Sequence, residues 1–183
     1  MCQFLSALIL ANGDVLTHPM LDSHTDLVTW FNLRDDRVGR FAKVELVPGE
    51  DTWLDPDQWT WVLDEPTRPA WLTEDMEANA QRALRDRAKR MILKDGEHTL
   101  IVDGCWIVGG TAVVKDVRGG RLVHVRGSAQ ITDVGDSAQI TDVGDSAQIT
   151  HVWGSAQITD VGGSANLDDS AKAHLTPTQQ GVS

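Results

Sequence analysis

Five Ser-Ala pairs recur at nine-residue spacing: Ser128-Ala129, Ser137-Ala138, Ser146-Ala147, Ser155-Ala156 and Ser164-Ala165. The first four continue Gln-Ile-Thr, and a valine follows three residues after each isoleucine, at Val134, Val143, Val152 and Val161. Repetition at a short fixed period marks a chain that stacks its own coils. Ala129 and Ile131 point to one face and Gln130 and Thr132 to the other, the alternation of a half-buried strand. Gly135-Asp136-Ser137 and Gly144-Asp145-Ser146 supply turn residues for corners. A strand this short cannot bury its apolar face alone; stacked copies form a narrow core of Ala, Ile and Val columns. An α-helix is a poor alternative, because Thr, Val, Ile and Gly dominate and nothing keeps a 3.6-residue period.

The expected fold is therefore a small α+β N-terminal domain followed by a β-solenoid of nonapeptide repeats. Leu122 with Val125, and Val113 before them, extend the ladder backward; Leu167 ends it. The boundaries read as 1–98 for the α+β domain, 99–112 for a joining segment, 113–167 for the repeats and 168–183 for a polar tail or partial cap. Nine residues are too few to close a coil, which leaves two or three units per coil. Charge leans toward two: stacking at nine puts Asp133 over Asp142, whereas stacking at eighteen puts Asp133 over His151. Eighteen still leaves Asp142 over Asp160, so this does not decide the matter.

The N-terminal part reads as conventional elements. Cys2 to Leu10 is a strand, turned at Asn12-Gly13-Asp14 into Val15 to Thr17. Ser23 caps a short helix with Leu27, Val28, Trp30 and Phe31 on its buried side. Arg34-Asp35-Asp36-Arg37 is a surface turn, and Phe41 to Val47 is a strand with Lys43 and Glu45 outward. Trp53, Trp59, Trp61 and Trp71 supply core. Thr73 caps a long helix from Glu74 to Met91 or Leu93, acidic at its start and basic at its end, with Met76, Ala80, Leu84, Ala88 and Met91 as its apolar stripe. Cys105-Trp106-Ile107-Val108 is expected to plug the first coil.

Charge is distributed unevenly. The chain has 27 acidic and 16 basic residues, net -11, and residues 128–171 contain seven aspartates and no Lys or Arg. An acidic face argues against binding a phosphate backbone; it fits a self-repelling surface or one that engages a basic partner. Two cysteines, Cys2 and Cys105, form no disulfide framework. The apolar run at residues 3–11 lacks a basic flank and is short, so neither a signal peptide nor a membrane span is expected, and the compartment reads as cytoplasmic.

Trp153 stands where other units have Gly135, Gly144 and Gly162, so the position does not demand positive φ and accepts a large outward side chain. With His151, Asp142, Asp160 and Asp133 it forms the candidate interaction surface. A weaker alternative is a polar site of Ser23, His24, Asp26 and Glu45. A catalytic triad is a three-dimensional arrangement, and helix capping accounts for Ser23 and Asp26 equally well. His18, Asp22 and His24 lack the spacing of a closed ligand set. The junctions lack the Gly-Gly-x-Gly-x-Asp pattern of calcium β-rolls. The threonine column (Thr132, Thr141, Thr150, Thr159) suits a water-ordering face, but threonine is simply a good strand residue. No metal and no cofactor are assigned.

The Ser-Ala-Gln-Ile-Thr-Asp-Val-Gly units resemble a class of bacteriophage and actinobacterial proteins whose C-terminal half repeats Ser-Ala-x-Val-x-x-x. Met1-Cys2-Gln3-Phe4, Ser23-His24-Thr25-Asp26-Leu27 and Phe41-Ala42-Lys43-Val44-Glu45 are similar to the N-terminal part of such proteins. The resemblance implies a phage or prophage setting and supplies no catalytic residue. The leading expectation is a non-enzymatic interaction or scaffolding protein with a protein partner, self-associating through the solenoid end or face. The alternatives are an acidic DNA mimic that inhibits a nucleic-acid-binding protein, and a small enzyme in residues 1–98 with the solenoid as a targeting appendage. Binding of nucleic acid by the basic helix end (Arg82, Arg85, Arg87, Lys89, Arg90) is not favoured, since dipole matching explains it.

Overall fold

The computed structural model describes residues 5–34 and 40–176. Cys2, the Asp35-Asp36-Arg37 part of the expected turn, and Pro177 onward lie outside them. Two compact units divide the chain, Met1–Arg90 and Met91–Ser183.

The first unit contains a four-stranded antiparallel sheet of β1 (Leu5–Leu10), β2 (Val15–Leu16), β3 (Phe41–Val47) and β4 (Thr60–Leu63), in the order β2-β1-β3-β4. Asn12 and Asp14 close the first hairpin, the Asn12 amide donating to Asp14 at 2.8 Å. Helix α1 (His24–Trp30) starts at Ser23, whose hydroxyl accepts from the Asp26 amide. Helix α2 (Glu74–Met91) starts at Thr73, whose hydroxyl accepts from the Met76 amide, and it buries Ala80, Leu84 and Ala88. Its basic end is used inside this unit: Arg85 donates to the Trp59 carbonyl, Arg87 to the His18 carbonyl, and Lys89 pairs with Asp57 at 2.8 Å.

Two expectations for this unit are overturned. Trp30 is 63% exposed instead of buried, with its ring 4.4 Å from that of His18. Glu45 is buried instead of outward. The physical reason is covering: the residues of β3 are buried on both faces, with His24 of α1 lying against Glu45, so a charged residue in the alternation no longer marks a wet side. Of the four tryptophans expected in the core, Trp59 is buried and Trp53, Trp61 and Trp71 are half-buried.

The second unit is a β-solenoid of two parallel five-stranded sheets. Its strands are β5 (Ile92–Leu93), β6 (Glu97–Ile101), β7 (Cys105–Val108), β8 (Val113–Val117), β9 (Arg121–Val125), β10 (Gln130–Val134), β11 (Gln139–Val143), β12 (Gln148–Val152), β13 (Gln157–Val161) and β14 (Asn166–Leu167). Successive strands alternate between the sheets, which run β14-β12-β10-β8-β6 and β13-β11-β9-β7-β5, so each coil contributes two strands. Ile131 pairs with Ile149, and Ile140 with Ile158, eighteen residues on.

The solenoid begins before the expected Val113. Strands β5 to β7 already belong to its sheets, so most of the supposed joining segment is coil. Cys105 to Val108 is strand β7, and Trp106 lies opposite Leu122 with its indole donating to the Asp103 carbonyl, so this run does not plug a coil end. These first coils are shorter: Glu97 pairs with Val113 and Cys105 with Arg121, sixteen residues apart. The partner of Ile131 is Val114, not Val113.

Inward columns hold the stack together. Val114, Ile131, Ile149 and Leu167 line one sheet, and Leu122, Ile140 and Ile158 the other, all buried beside Val and Ala columns in one cluster. Each such isoleucine contributes about 2–3 kcal/mol by burial. Corners turn through left-handed residues: Gly127, Asp136, Asp145, Gly154 and Gly163 all have φ between 52° and 70°. Asp, with a short polar side chain, is among the few non-glycine residues that enter this region readily. Gly135 and Gly144, one residue earlier than Asp136 and Asp145, do not have positive φ, as the Trp153 replacement implied.

The C-terminal segment folds back as a cap. Helix α3 (Asp169–Lys172) starts at Asp168, whose carboxylate accepts from the Ala171 amide, and buries Ala171 against the core. Ile158 donates to the His174 carbonyl and accepts from the Thr176 amide, so part of the outer edge of β13 is paired. The Asp168 carboxyl is held below its ordinary value, chiefly by the Ser170 hydroxyl.

Ile149→Ala should lower the stability of the solenoid by about 2–5 kcal/mol in urea unfolding, while the outward Thr141→Ala should cost under about 0.5 kcal/mol. Equal effects from the two would contradict the assignment of inner and outer faces.

Candidate functional site

The solenoid surface named from sequence separates into two structures. Asp142 is not an open contact point: it is half-buried, its Oδ2 is 2.7 Å from His124 Nδ1, and it forms an ion pair with Arg126. The register that places Asp142 beside Asp160 also places it beside His124, so the Arg126 cation and the His124 ring of the preceding coil offset the acid-on-acid contact. Asp133 lies between Asp116 and His151 in the other sheet. His151 is exposed and 3.3 Å from Asp168, and Asp160 is exposed.

Trp153 is 39% exposed. Its indole lies over Gly135 of the preceding coil, where an added Cβ would come within 2.3 Å of the ring. Arg118, one coil further back, stacks on that ring at 4.5 Å. Gly135 is thus the floor of a stack, and glycine is required there by the close approach of the ring. The Arg126 guanidinium covers Gly144 in the same way. Trp153 is first a bracket between coils and only second an exposed surface.

A different polar cluster forms in the first unit. Of Ser23, His24, Asp26 and Glu45, only His24 and Glu45 come together. Ser23 is spent on capping α1 and Asp26 is exposed, so the trio read from sequence is not one site. His24 turns inward from the first position of α1, where it is 4% exposed, and its Nδ1 lies 3.7 Å from Glu45 Oε1. The third member is Asp64, directly after β4, with its Oδ2 3.1 Å from the same nitrogen. The backbone holds Asp64 in place, its amide donating to the Lys43 carbonyl at 2.9 Å. On its other side His24 Nε2 lies 3.1 Å from the Val44 carbonyl. Ser6, opposite Glu45 in the sheet, donates its hydroxyl to the Asp22 carbonyl and not to the glutamate. Glu45 Oε1 is buried with no hydrogen-bond partner.

Nothing in the sequence points to Asp64, because a carboxylate next to a strand end carries no signal of the residue it faces. His18 and Asp22, named with His24 as a metal set, are absent from the grouping of His24, Glu45 and Asp64, the one set of metal-capable side chains found among the described residues. A cleft is lined by Leu10, Asn32, Leu33, Arg34, Arg40 and Phe41, and neither His24 nor Glu45 belongs to it. Cys105 is buried in β7, with Arg121 donating toward its sulfur at 3.8 Å. Among the described residues no helix is long and apolar enough to cross a membrane.

Comparison with protein-family models, with curated proteins and with solved structures finds no match.

Two measurements test this account of the solenoid surface. Trp153→Gly, which restores the residue of the other repeats, should destabilise the solenoid by about 1 kcal/mol, because it removes the Arg118 stack and uncovers Gly135. The second concerns His124, whose pKa is held below the ordinary histidine value mainly by burial, with Arg126 lowering it further and Asp142 opposing. The unfolded chain then takes up the proton more readily than the folded one. Stability should be full above about pH 6.5 and decline as the pH falls below it. His124→Gln should flatten that decline in unfolding curves measured from pH 7.5 to 5.

Proposed function

We propose that the chain is a non-enzymatic interaction or scaffolding protein, presenting its solenoid as a rigid acidic surface to a basic protein partner. The phage or prophage setting implied by the resemblance belongs to the same proposal. One observation carries it: the coils from Gly127 to Ala171 contain no Lys or Arg, and their inward positions are filled by Ala, Ile, Val and Leu. Asp133, Asp136 and Asp160 are therefore held outside the core at intervals set by the stacking. A partner that matches those intervals binds a surface already ordered, so little conformational entropy is lost on this side of the interface. The capped end at Ile158 favours display over growth from that end.

The DNA-mimic reading has less support, because Asp142 is offset by His124 and Arg126. The enzyme reading has one observation in its favour, the convergence of His24, Glu45 and Asp64. Nothing in the geometry names a substrate for it.

Binding of the whole chain to a lysine-rich peptide should weaken with salt, and Asp133→Asn/Asp136→Asn/Asp160→Asn together should weaken it by about tenfold at low salt while leaving the fold intact. Undiminished binding by that variant, or no binding by the unaltered chain, would remove the acidic surface as the basis of recognition.

A further inference from the structure

The cluster at the start of α1 presents a problem of charge that a proton solves only in part. The Val44 carbonyl can only accept, so His24 Nε2 carries the hydrogen in their 3.1 Å contact. In a neutral ring Nδ1 is then a lone pair, and it faces Asp64 Oδ2 at 3.1 Å and Glu45 Oε1 at 3.7 Å. A lone pair turned toward two carboxylate oxygens is repulsive unless positive charge lies among them. A proton on Nδ1 satisfies Asp64, the nearer and better placed oxygen. It leaves Glu45 Oε1 as it stands, buried and accepting no hydrogen bond. A buried carboxylate oxygen in that condition is costly.

A single divalent cation serves all three atoms. We propose that His24 Nδ1, Glu45 Oε1 and Asp64 Oδ2 form a three-ligand site for a first-row divalent metal ion of the zinc type. The three ligand atoms lie within 4.8 Å of one another. Ligands about 2.1 Å from such an ion are about 3.0 to 3.5 Å apart in octahedral or tetrahedral geometry, so the shell closes once Glu45 and the exposed Asp64 side chain draw in by about an ångström. The Nε2 contact to the Val44 carbonyl is the outer-shell bond that metal-binding histidines ordinarily make, fixing the tautomer and aiming Nδ1. An imidazole among the ligands favours zinc, iron or manganese over calcium and magnesium, which prefer oxygen alone. Each ligand comes from a different element: the start of α1, the central strand β3 and the residue after β4. His24 and Glu45 are enclosed, whereas the Asp64 side chain is 58% exposed. The remaining coordination positions therefore open toward water on the Asp64 side, the arrangement of a metal that can take an exogenous ligand.

The test uses the whole chain, stripped with a chelator and titrated with zinc alone by calorimetry, with bound metal counted by elemental analysis. One equivalent should bind, and Asp64→Asn and Glu45→Gln should each weaken binding by at least about tenfold. Ser23→Ala, which removes only the helix cap, should leave the affinity unchanged. Asp64 is exposed enough that its variant should keep the circular dichroism spectrum of the unaltered chain, so it decides the matter if the Glu45 variant does not fold. Absence of a bound equivalent in the unaltered chain would overturn the site. So would an Asp64→Asn variant that binds zinc as well as the unaltered chain, since His124 with Asp142 or His151 with Asp168 would then be the ligands.

Discussion

Parallel stacking, one coil directly on the next, is the constraint from which the second unit follows. It sets each residue beside its counterpart one coil away, so any property of one position is multiplied along the column. Apolar columns benefit: Ile131 against Ile149 and Val134 against Val152 keep one core cross-section through the eighteen-residue coils. Charged columns suffer, since Asp142 meets Asp160. The chain meets that cost by varying the sequence where the repeat is least regular. His124 and Arg126 come from the preceding coil, and His151 interrupts the other column. Departures from the repeat thus have a physical role as definite as the repeat itself.

Corners obey the same rule. A left-handed residue is needed at each, and the chain uses either Gly or Asp there. Asp145 has a second use, since its carboxylate accepts from the Gly127 amide at 2.8 Å and so ties one corner to the one before it. The glycines next to the corners answer to a different requirement, room for the side chain of a neighbouring coil. Trp153 over Gly135 and Arg126 over Gly144 are two forms of one solution.

Much of the solenoid was legible because its information is repeated. Register and inner face could be read from Ala, Ile and Val, whereas the number of strands per coil stayed open between two and three, with His151 only leaning toward two. The first coils were not legible: they are sixteen residues long in places, and Trp106 and Leu100 stand in columns that later hold Leu122 and Asp116. In the first unit, helix ends and the hairpin were readable from Ser23, Thr73 and Asn12-Gly13-Asp14, because caps and turns are local chemistry. The His24 cluster was not, because it is assembled from three separate elements. Alternation along β3 pointed Glu45 outward; only what packs on that face, His24 at the start of α1 among it, buries it. Such a grouping is a tertiary fact: Asp64, the carboxylate nearest His24, lies 40 residues from it in the chain.

The fold-back at Ile158 makes the length of this rod a variable independent of its two ends. The closing segment is held by the last coils alone, through the Ile158 backbone, the Val152 amide and the Ala156 carbonyl. In-frame gain or loss of eighteen residues would therefore move the tip by about 4.8 Å, the spacing between neighbouring strands, and leave the terminus as it was. A fold built this way can be lengthened or shortened in fixed steps without new chemistry at its closing end.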